Sequence, residues 1–135
     1  MKTRLLTKLL YFFVITLSLS FLVGCSNISE ERIRKDYLEM MHEKGEVQME
    51  LEDVIIIENY GTYNGSVVVR IERNAYQVIT EIVVGGVKFT FSNSNTALVW
   101  NKGEFYELEE AYDKKLLTIS NLEAIAVKVN KNNLQ

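Results

Sequence analysis

Three short glycine-containing segments, each flanked by runs of β-branched and aromatic residues, constrain this chain more than any other feature. They are Tyr63–Ser66, Gly85–Gly86 and Asn101–Gly103. Asn-Gly and Gly-Gly pairs adopt the positive φ angles that tight hairpin turns require. The sequence therefore predicts three β-hairpins, with a bulge at Gly103 in the third.

The runs on either side of these turns have the alternation and composition of short strands. Because the strands follow one another with short connections, we expect an antiparallel meander of about five or six strands. The predicted strands are Val54–Tyr60, Ser66–Glu72, Tyr76–Val84, Val87–Phe91, Ala97–Trp100 and Glu104–Leu108.

Helical periodicity is found on both sides of the strand region. Between Ser26 and Gly45 the apolar positions recur at helical spacing, with Asn27 or Ser29 as the capping residue and a Glu31–Lys35 pair on the surface. Two short helices are predicted near the carboxyl terminus, the second capped by Thr118. The predicted apolar faces are Ile33, Tyr37, Met40 and Met41, then Leu108, Ala111, Tyr112 and Leu116, then Leu122, Ile125, Ala126 and Val129.

These elements predict the α+β class, with the helices covering the sheet. Removal of 24 of the 135 residues leaves 111, which fits one domain with one modest core. We expect a signal peptide at 1–24, a tether at 25–30, a single domain at 31–130 and a frayed tail at 131–135.

The amino terminus has the three-part organisation of an export signal. The cationic stretch MKTRLLTK precedes an apolar run from Leu9 to Val23 and the small residue Gly24. As a helix the apolar run would be about 22 Å long, which is shorter than the roughly 30 Å hydrocarbon core of a bilayer. This length disfavours a permanent transmembrane span.

Residues Leu22, Val23, Gly24 and Cys25 resemble the lipobox of bacterial lipoproteins. The resemblance implies cleavage before Cys25 and attachment of a diacylglyceryl group to its thiol. Two or three acyl chains anchor a protein stably to a membrane. We therefore expect a lipid-anchored protein on the extracytoplasmic face of the cell membrane, and an uncleaved anchor or an ordinary signal peptide are the alternatives.

Charge and side-chain chemistry exclude several kinds of site. The mature part carries 12 Lys and Arg against 18 Asp and Glu, a net charge of −6 that disfavours nucleic acid as a partner. Cys25 and His42 are the only residues of their types, so neither a zinc site nor a histidine-based nucleophile is predicted. His42 is expected on a solvent-facing helix position. The acidic cluster Glu107–Asp113 lacks EF-hand spacing, and no metal or cofactor is predicted.

Five aromatic residues lie at predicted strand ends or hairpin turns, where partial exposure would create a binding surface for a protein or a glycan. The alternative is that they pack in the core or across strands, as aromatic residues on sheets commonly do. The candidate residues are Tyr60, Tyr63, Trp100, Phe105 and Tyr106.

Several segments together resemble an uncharacterised family of small bacterial proteins, many of which come from Gram-positive anaerobes. These segments are Tyr60–Val69, Gly86–Phe89, Val99–Tyr106, Leu108–Tyr112 and Leu116–Thr118. The resemblance spans Asp53 to Ala126 and implies no activity, cofactor or catalytic residue. Relatives often have a glycine near Lys115, so the end of the helix before it is expected to differ here.

The leading hypothesis for function is a non-catalytic interaction domain tethered to the membrane, which binds an envelope protein or glycan. A cell-envelope hydrolase that uses paired carboxylates is the first alternative, because such chemistry needs only two acids at a fixed separation. A purely structural envelope protein is the second. A cleft containing an acidic pair would favour the enzyme, and an exposed aromatic patch would favour binding.

Overall fold

A computed structural model describes residues 28–72, 79–92 and 96–133 of the chain. It contains three α-helices, Glu30–Glu43 (α1), Leu108–Asp113 (α2) and Ile119–Asn133 (α3), and a short 3-10 helix, Leu51–Asp53. The strands are Ile56–Tyr63 (β1), Ser66–Ile71 (β2), Thr80–Val84 (β3), Val87–Phe91 (β4), Leu98–Asn101 (β5) and Glu104–Glu107 (β6). The predicted α+β class is confirmed. The predicted signal peptide and Cys25 lie outside the described residues.

The six described strands divide between two sheets instead of forming one meander. Four strands make an antiparallel sheet in the order β1-β2-β5-β6, and β3 and β4 pair only with each other. On the side away from β1, β2 pairs with β5, which places Val67 opposite Trp100 and Val69 opposite Leu98. The β3–β4 hairpin leaves the main sheet, and its residues Phe89 and Phe91 are fully buried in the core on one face of that sheet.

All three predicted hairpin turns are present, and in each both central residues have positive φ angles, the signature of a type I′ turn. The φ angles are 51° and 84° at Asn64 and Gly65, 56° and 80° at Gly85 and Gly86, and 49° and 87° at Lys102 and Gly103. The third turn differs from the prediction, because Asn101 pairs directly with Glu104 and Gly103 forms no bulge.

Two hydrophobic clusters, one on each face of the main sheet, replace the single predicted core. The α1-side cluster contains Ile33 and Tyr37 of α1 together with Val67, Val69 and Trp100. The opposite cluster is larger and includes residues of β3, β4, α2 and α3. Strand β2 lies between the two clusters, and all six of its residues are buried. The terminal helices therefore cover opposite faces of one sheet.

The predicted helix ends are mostly confirmed. The Ser29 hydroxyl accepts a hydrogen bond from the Arg32 amide at 3.2 Å and caps α1. Thr118 and Asn121 exchange side-chain to backbone hydrogen bonds of 3.0 and 3.1 Å at the start of α3. Helix α3 continues to Asn133, so the tail predicted to fray from residue 131 is helical for its first three residues.

Two irregularities in β1 set the direction of its side chains. The register against β2 shifts between Ile56 and Glu58 and again between Asn59 and Gly61. Such bulges bend an edge strand and reorient its residues. The second bulge contains Tyr60, which is buried in the cluster opposite α1. The Lys128 ammonium of α3 donates a 3.0 Å hydrogen bond to the Tyr60 carbonyl and fixes this part of β1.

Candidate functional site

The five aromatic residues predicted to form a binding surface do not lie on one exposed patch. Tyr60 and Trp100 are only 1% and 3% exposed. Tyr63, Phe105 and Tyr106 are half-buried. The alternative prediction, that these aromatic residues pack in the core or across strands, agrees with this burial.

These aromatic residues also divide between the two faces of the sheet. Trp100 and Phe105 belong to the α1-side cluster, where the Phe105 ring meets the Tyr37 ring edge-on at 5.6 Å between centroids. Tyr60, Tyr63 and Tyr106 belong to the opposite cluster. A single ligand therefore cannot contact all five residues on one surface.

A cleft lies at the carboxyl-terminal end of α1, and we call it the α1 cleft. Its volume is about 780 Å³, within the range of ligand-binding pockets. Apolar and aromatic side chains line it together with four carboxylates and one ammonium group. The lining residues are Tyr37, Met41, Lys44, Glu46, Met49, Glu52, Asp53, Ile55 and Glu72.

One wall of the α1 cleft is the segment Glu46–Asp53, which follows α1. Helix α1 ends at Glu43, and the φ of 104° at Gly45 allows the Glu46 amide to bond back to the Met41 carbonyl at 2.9 Å. This is the hydrogen-bond pattern of a Schellman motif. The segment therefore turns back on the helix immediately after Gly45.

Side chains of α1 hold this wall in place. The Arg34 guanidinium donates hydrogen bonds of 2.7 Å to the carbonyls of Leu51 and Val54. The His42 ring is bonded to the Met49 carbonyl at 2.7 Å, and His42 is exposed, as predicted. Because these contacts join the helix to the segment at both ends of the wall, the α1 cleft is a preformed feature of the fold.

The carboxylates around the α1 cleft perturb one another. A hydrogen bond with the Glu52 side chain raises the pKa of Glu50, and the negative charge of Asp53 raises it further. Glu50 lies on the surface beside the cleft, and its amide donates a 2.8 Å hydrogen bond to the Asp53 carboxylate. Crowding of negative charge raises the pKa because it disfavours the ionised form. A cationic group placed in the cleft would relieve this repulsion.

Sequence reasoning did not identify this site. The residues concerned are spread from Tyr37 to Glu72, and only the packing of α1 against β1 and β2 brings them together. One signal was present, because the apolar residues Met49 and Ile55 flank the acids Glu50, Glu52 and Asp53. Ile55 is 49% exposed.

A buried polar pair lies on the other face of the sheet. Arg70 is 5% exposed, and its guanidinium lies over the Phe91 ring at 5.7 Å from the centroid. Burial raises the pKa of the nearby Tyr60 phenol, and the positive charge of Arg70 opposes that rise. The Tyr60 hydroxyl interacts with this guanidinium, although no hydrogen bond of good geometry reaches the hydroxyl among the described residues. This pair is enclosed by the core and forms no accessible site.

Within residues 28–72, 79–92 and 96–133, no group of three or more His, Cys, Asp or Glu side chains is arranged to hold a metal ion. None of the helices in the same ranges combines the length and the apolar character needed to cross a membrane.

Comparison with known proteins found no matching family model, no similar curated protein and no similar solved structure. The resemblances to lipoproteins and to a family of small bacterial proteins therefore stay predictions.

Proposed function

We propose that the mature protein is a lipid-anchored, non-catalytic binding domain on the extracytoplasmic face of the cell membrane. The anchor is supported by the cationic stretch, the apolar run and the Leu22–Cys25 segment at the amino terminus. Binding is supported by the α1 cleft. The observation that carries the proposal is the composition of this cleft, which combines apolar side chains with four carboxylates and one ammonium group.

The chemistry of the cleft favours a basic segment of an envelope protein as the partner. Lysine and arginine side chains have an apolar stem and a cationic end, so one residue can contact both kinds of lining. Met41, Met49 and Ile55 would contact the stem, and Glu52 or Glu72 would pair with the charged end. Anionic glycans would be repelled by the same carboxylates.

A model peptide tests this proposal. The probe is a blocked, fluorescently labelled peptide of alternating lysine and leucine, and its binding is measured by fluorescence anisotropy. In the triple variant Glu46→Gln, Glu52→Gln and Glu72→Gln we expect roughly tenfold weaker binding, because three exposed ion pairs together contribute about 1–2 kcal/mol. Glutamine preserves the shape of each side chain and removes its charge.

A second triple variant controls for net charge. Glu31→Gln, Glu81→Gln and Glu123→Gln make the same change in net charge on α1, β3 and α3, and none of these residues lines the α1 cleft. This variant is expected to bind the peptide with nearly unchanged affinity. Equal weakening in both variants would show that only overall charge attracts the peptide, and the cleft would be rejected as the binding site.

A hydrolase that uses paired carboxylates is the second candidate, and the raised pKa of Glu50 is the observation that favours it. Like-charge crowding on the surface explains this pKa, whereas a general acid usually lies in a desolvated pocket. The test is release of reducing ends from purified cell-wall glycan. Release by the wild type that is lost in Glu50→Gln would replace the binding proposal with an enzymatic one.

A further inference from the structure

The folded domain begins very close to the proposed lipid anchor. Ile28 already packs against the α1-side cluster, and Ser29 caps α1. Only Ser26 and Asn27 separate Ile28 from Cys25, and three Cα–Cα steps span at most about 11 Å. The six-residue tether predicted from the sequence is therefore shorter, because Ile28 and Ser29 belong to the domain.

Helix α1 leads from this attachment point to the α1 cleft. Its 14 residues span about 21 Å at 1.5 Å per residue. The start of α1 is joined to β1 by a 3.1 Å hydrogen bond from the Asn59 amide to the Glu30 carboxylate. Its middle is joined to β5 by the bond from Trp100 to Asp36. Because the helix is fixed at both points, the cleft stays at a constant distance from the attachment point.

Charge is distributed unequally between the start of α1 and its end with the segment that follows. Residues Glu30–Asp36 contain three acidic and three basic side chains, whereas Glu39–Asp53 contain six acidic side chains and one lysine. Bacterial and other anionic bilayers repel negative charge within about one Debye length, roughly 10 Å. The neutral end of α1 is next to the anchor, and the acidic end would be repelled from the lipid surface.

We propose that α1 holds the α1 cleft on the side of the domain that faces away from the bilayer. This orientation rests on the lipid anchor of the proposed function. It identifies the partner as a basic segment located beyond the membrane surface, because the lipid headgroups themselves are out of reach of the cleft. In this arrangement the rigid helix α1, and not a flexible tether, sets the distance between the lipid anchor and the α1 cleft.

Site-specific labels on the lipidated protein test the orientation. Cys25 is the only cysteine of the chain, so a cysteine introduced elsewhere carries the only free thiol of the lipidated protein. Glu31→Cys and Glu43→Cys are matched variants, because both remove one exposed glutamate from α1 at opposite ends. Each protein is purified with its lipid from membranes, labelled with a fluorophore and reconstituted into phosphatidylglycerol-containing vesicles with quencher-bearing headgroups.

The label at residue 31 is expected to lose most of its emission, and the label at residue 43 is expected to lose little. Equal quenching of both labels, or stronger quenching at residue 43, would overturn the orientation while vesicle binding still supported the anchor. A protein that carries no lipid by mass spectrometry and does not bind vesicles would instead overturn the proposed anchor, and the orientation with it.

Discussion

The Trp100 indole nitrogen donates a hydrogen bond of 2.8 Å to the Asp36 carboxylate and thereby joins β5 to the middle of α1. The Arg32 guanidinium lies over the same indole ring, 5.4 Å from its centroid. Trp100 is buried, so its N–H group needs a partner within the protein. This contact fixes α1 on the sheet and with it one side of the α1 cleft.

Replacement of Asp36 by alanine should destabilise the domain by about 1–3 kcal/mol, because a buried donor then loses a charged acceptor. The free energy of unfolding is measured in urea, with the emission of Trp100, the only tryptophan, as the probe. Glu39→Ala removes a carboxylate from an exposed position of the same helix and should change stability by less than about 0.5 kcal/mol. Similar losses in both variants would contradict a specific role of the hydrogen bond.

Lys115 is predicted to reduce the stability of the domain, because it occupies a position at the end of α2 that favours glycine. Its φ angle is 62°, and the Leu116 amide bonds to the Ala111 carbonyl at 2.9 Å in a Schellman motif. Glycine is favoured at such positions because it has no Cβ. Lys115→Gly should raise the free energy of unfolding by about 0.5–1 kcal/mol, an increase of about 4 °C in Tm that calorimetry can measure.

Lys114 provides the matched control for that substitution. Its φ of −81° is in the right-handed region, so glycine there relieves no backbone strain in the folded state. Glycine also adds backbone freedom to the unfolded state. Lys114→Gly should therefore lower stability by about 0.5–1 kcal/mol. A decrease in both variants would contradict the assignment of strain to Lys115.

The two glycines of the β3–β4 turn should respond unequally to alanine. A Cβ at Gly85 would lie 3.1 Å from Tyr112 and 3.2 Å from Leu122, whereas a Cβ at Gly86 would meet no atom within 4 Å. Both positions have positive φ, which alone costs about 1 kcal/mol in alanine. Gly85→Ala should cost about 1–3 kcal/mol more than Gly86→Ala, because it also overpacks the core. Urea denaturation of the two variants would refute this if their losses were equal.

The Tyr60 hydroxyl is predicted to reduce stability. Burial without a well-aligned hydrogen bond is unfavourable for a polar group, so Tyr60→Phe should raise the free energy of unfolding by about 1 kcal/mol. A decrease of similar size would show that the interaction with the Arg70 guanidinium outweighs the cost of burying the hydroxyl. Urea unfolding at neutral pH is the measurement.

The same residue should make stability depend on alkaline pH. Burial raises the folded-state pKa of Tyr60 above the ordinary value of 10.0. The folded state then binds the phenolic proton more tightly than the unfolded state, so stability is retained below pH 10 and falls as the pH rises above it. Tyr60→Phe should lose less stability between pH 9 and pH 11 than the wild type does, because it lacks this group.

The anchor is tested by Cys25→Ser. Without a thiol no diacylglyceryl group can be attached, so the variant should leave the membrane fraction or accumulate as an unprocessed precursor. Membrane fractionation and mass spectrometry of the purified protein distinguish the two results. Unchanged incorporation of labelled lipid in the variant would reject the lipoprotein assignment.

Local structure was predictable from the sequence because its causes lie within a few residues. A two-residue turn depends on which residues tolerate positive φ, and Asn64-Gly65 and Gly85-Gly86 satisfy that requirement by themselves. Spacing of apolar residues likewise predicted the buried faces of α1 and α3. At the end of α2, Lys115 adopts the positive φ angle that a glycine normally adopts at this position.

The exposure of the aromatic residues was not predictable in the same way. Position near a turn indicated a surface location for Tyr60 and Trp100, yet both are buried. A bulge directs Tyr60 into one cluster, and the pairing of β5 with β2 places Trp100 under α1. Exposure depends on what covers a strand, and the covering elements here come from distant parts of the chain.

By itself the sequence determined the helices, the strands, the turns and the expected export of the chain, because each of these follows from neighbouring residues. Only the tertiary structure decided that β2 pairs with β5, that the β3–β4 hairpin leaves the main sheet and that the terminal helices cover opposite faces. It also assembled the α1 cleft from residues between Tyr37 and Glu72. Contacts between distant residues depend on how apolar surface is shared among all elements at once, and no local pattern contains that information.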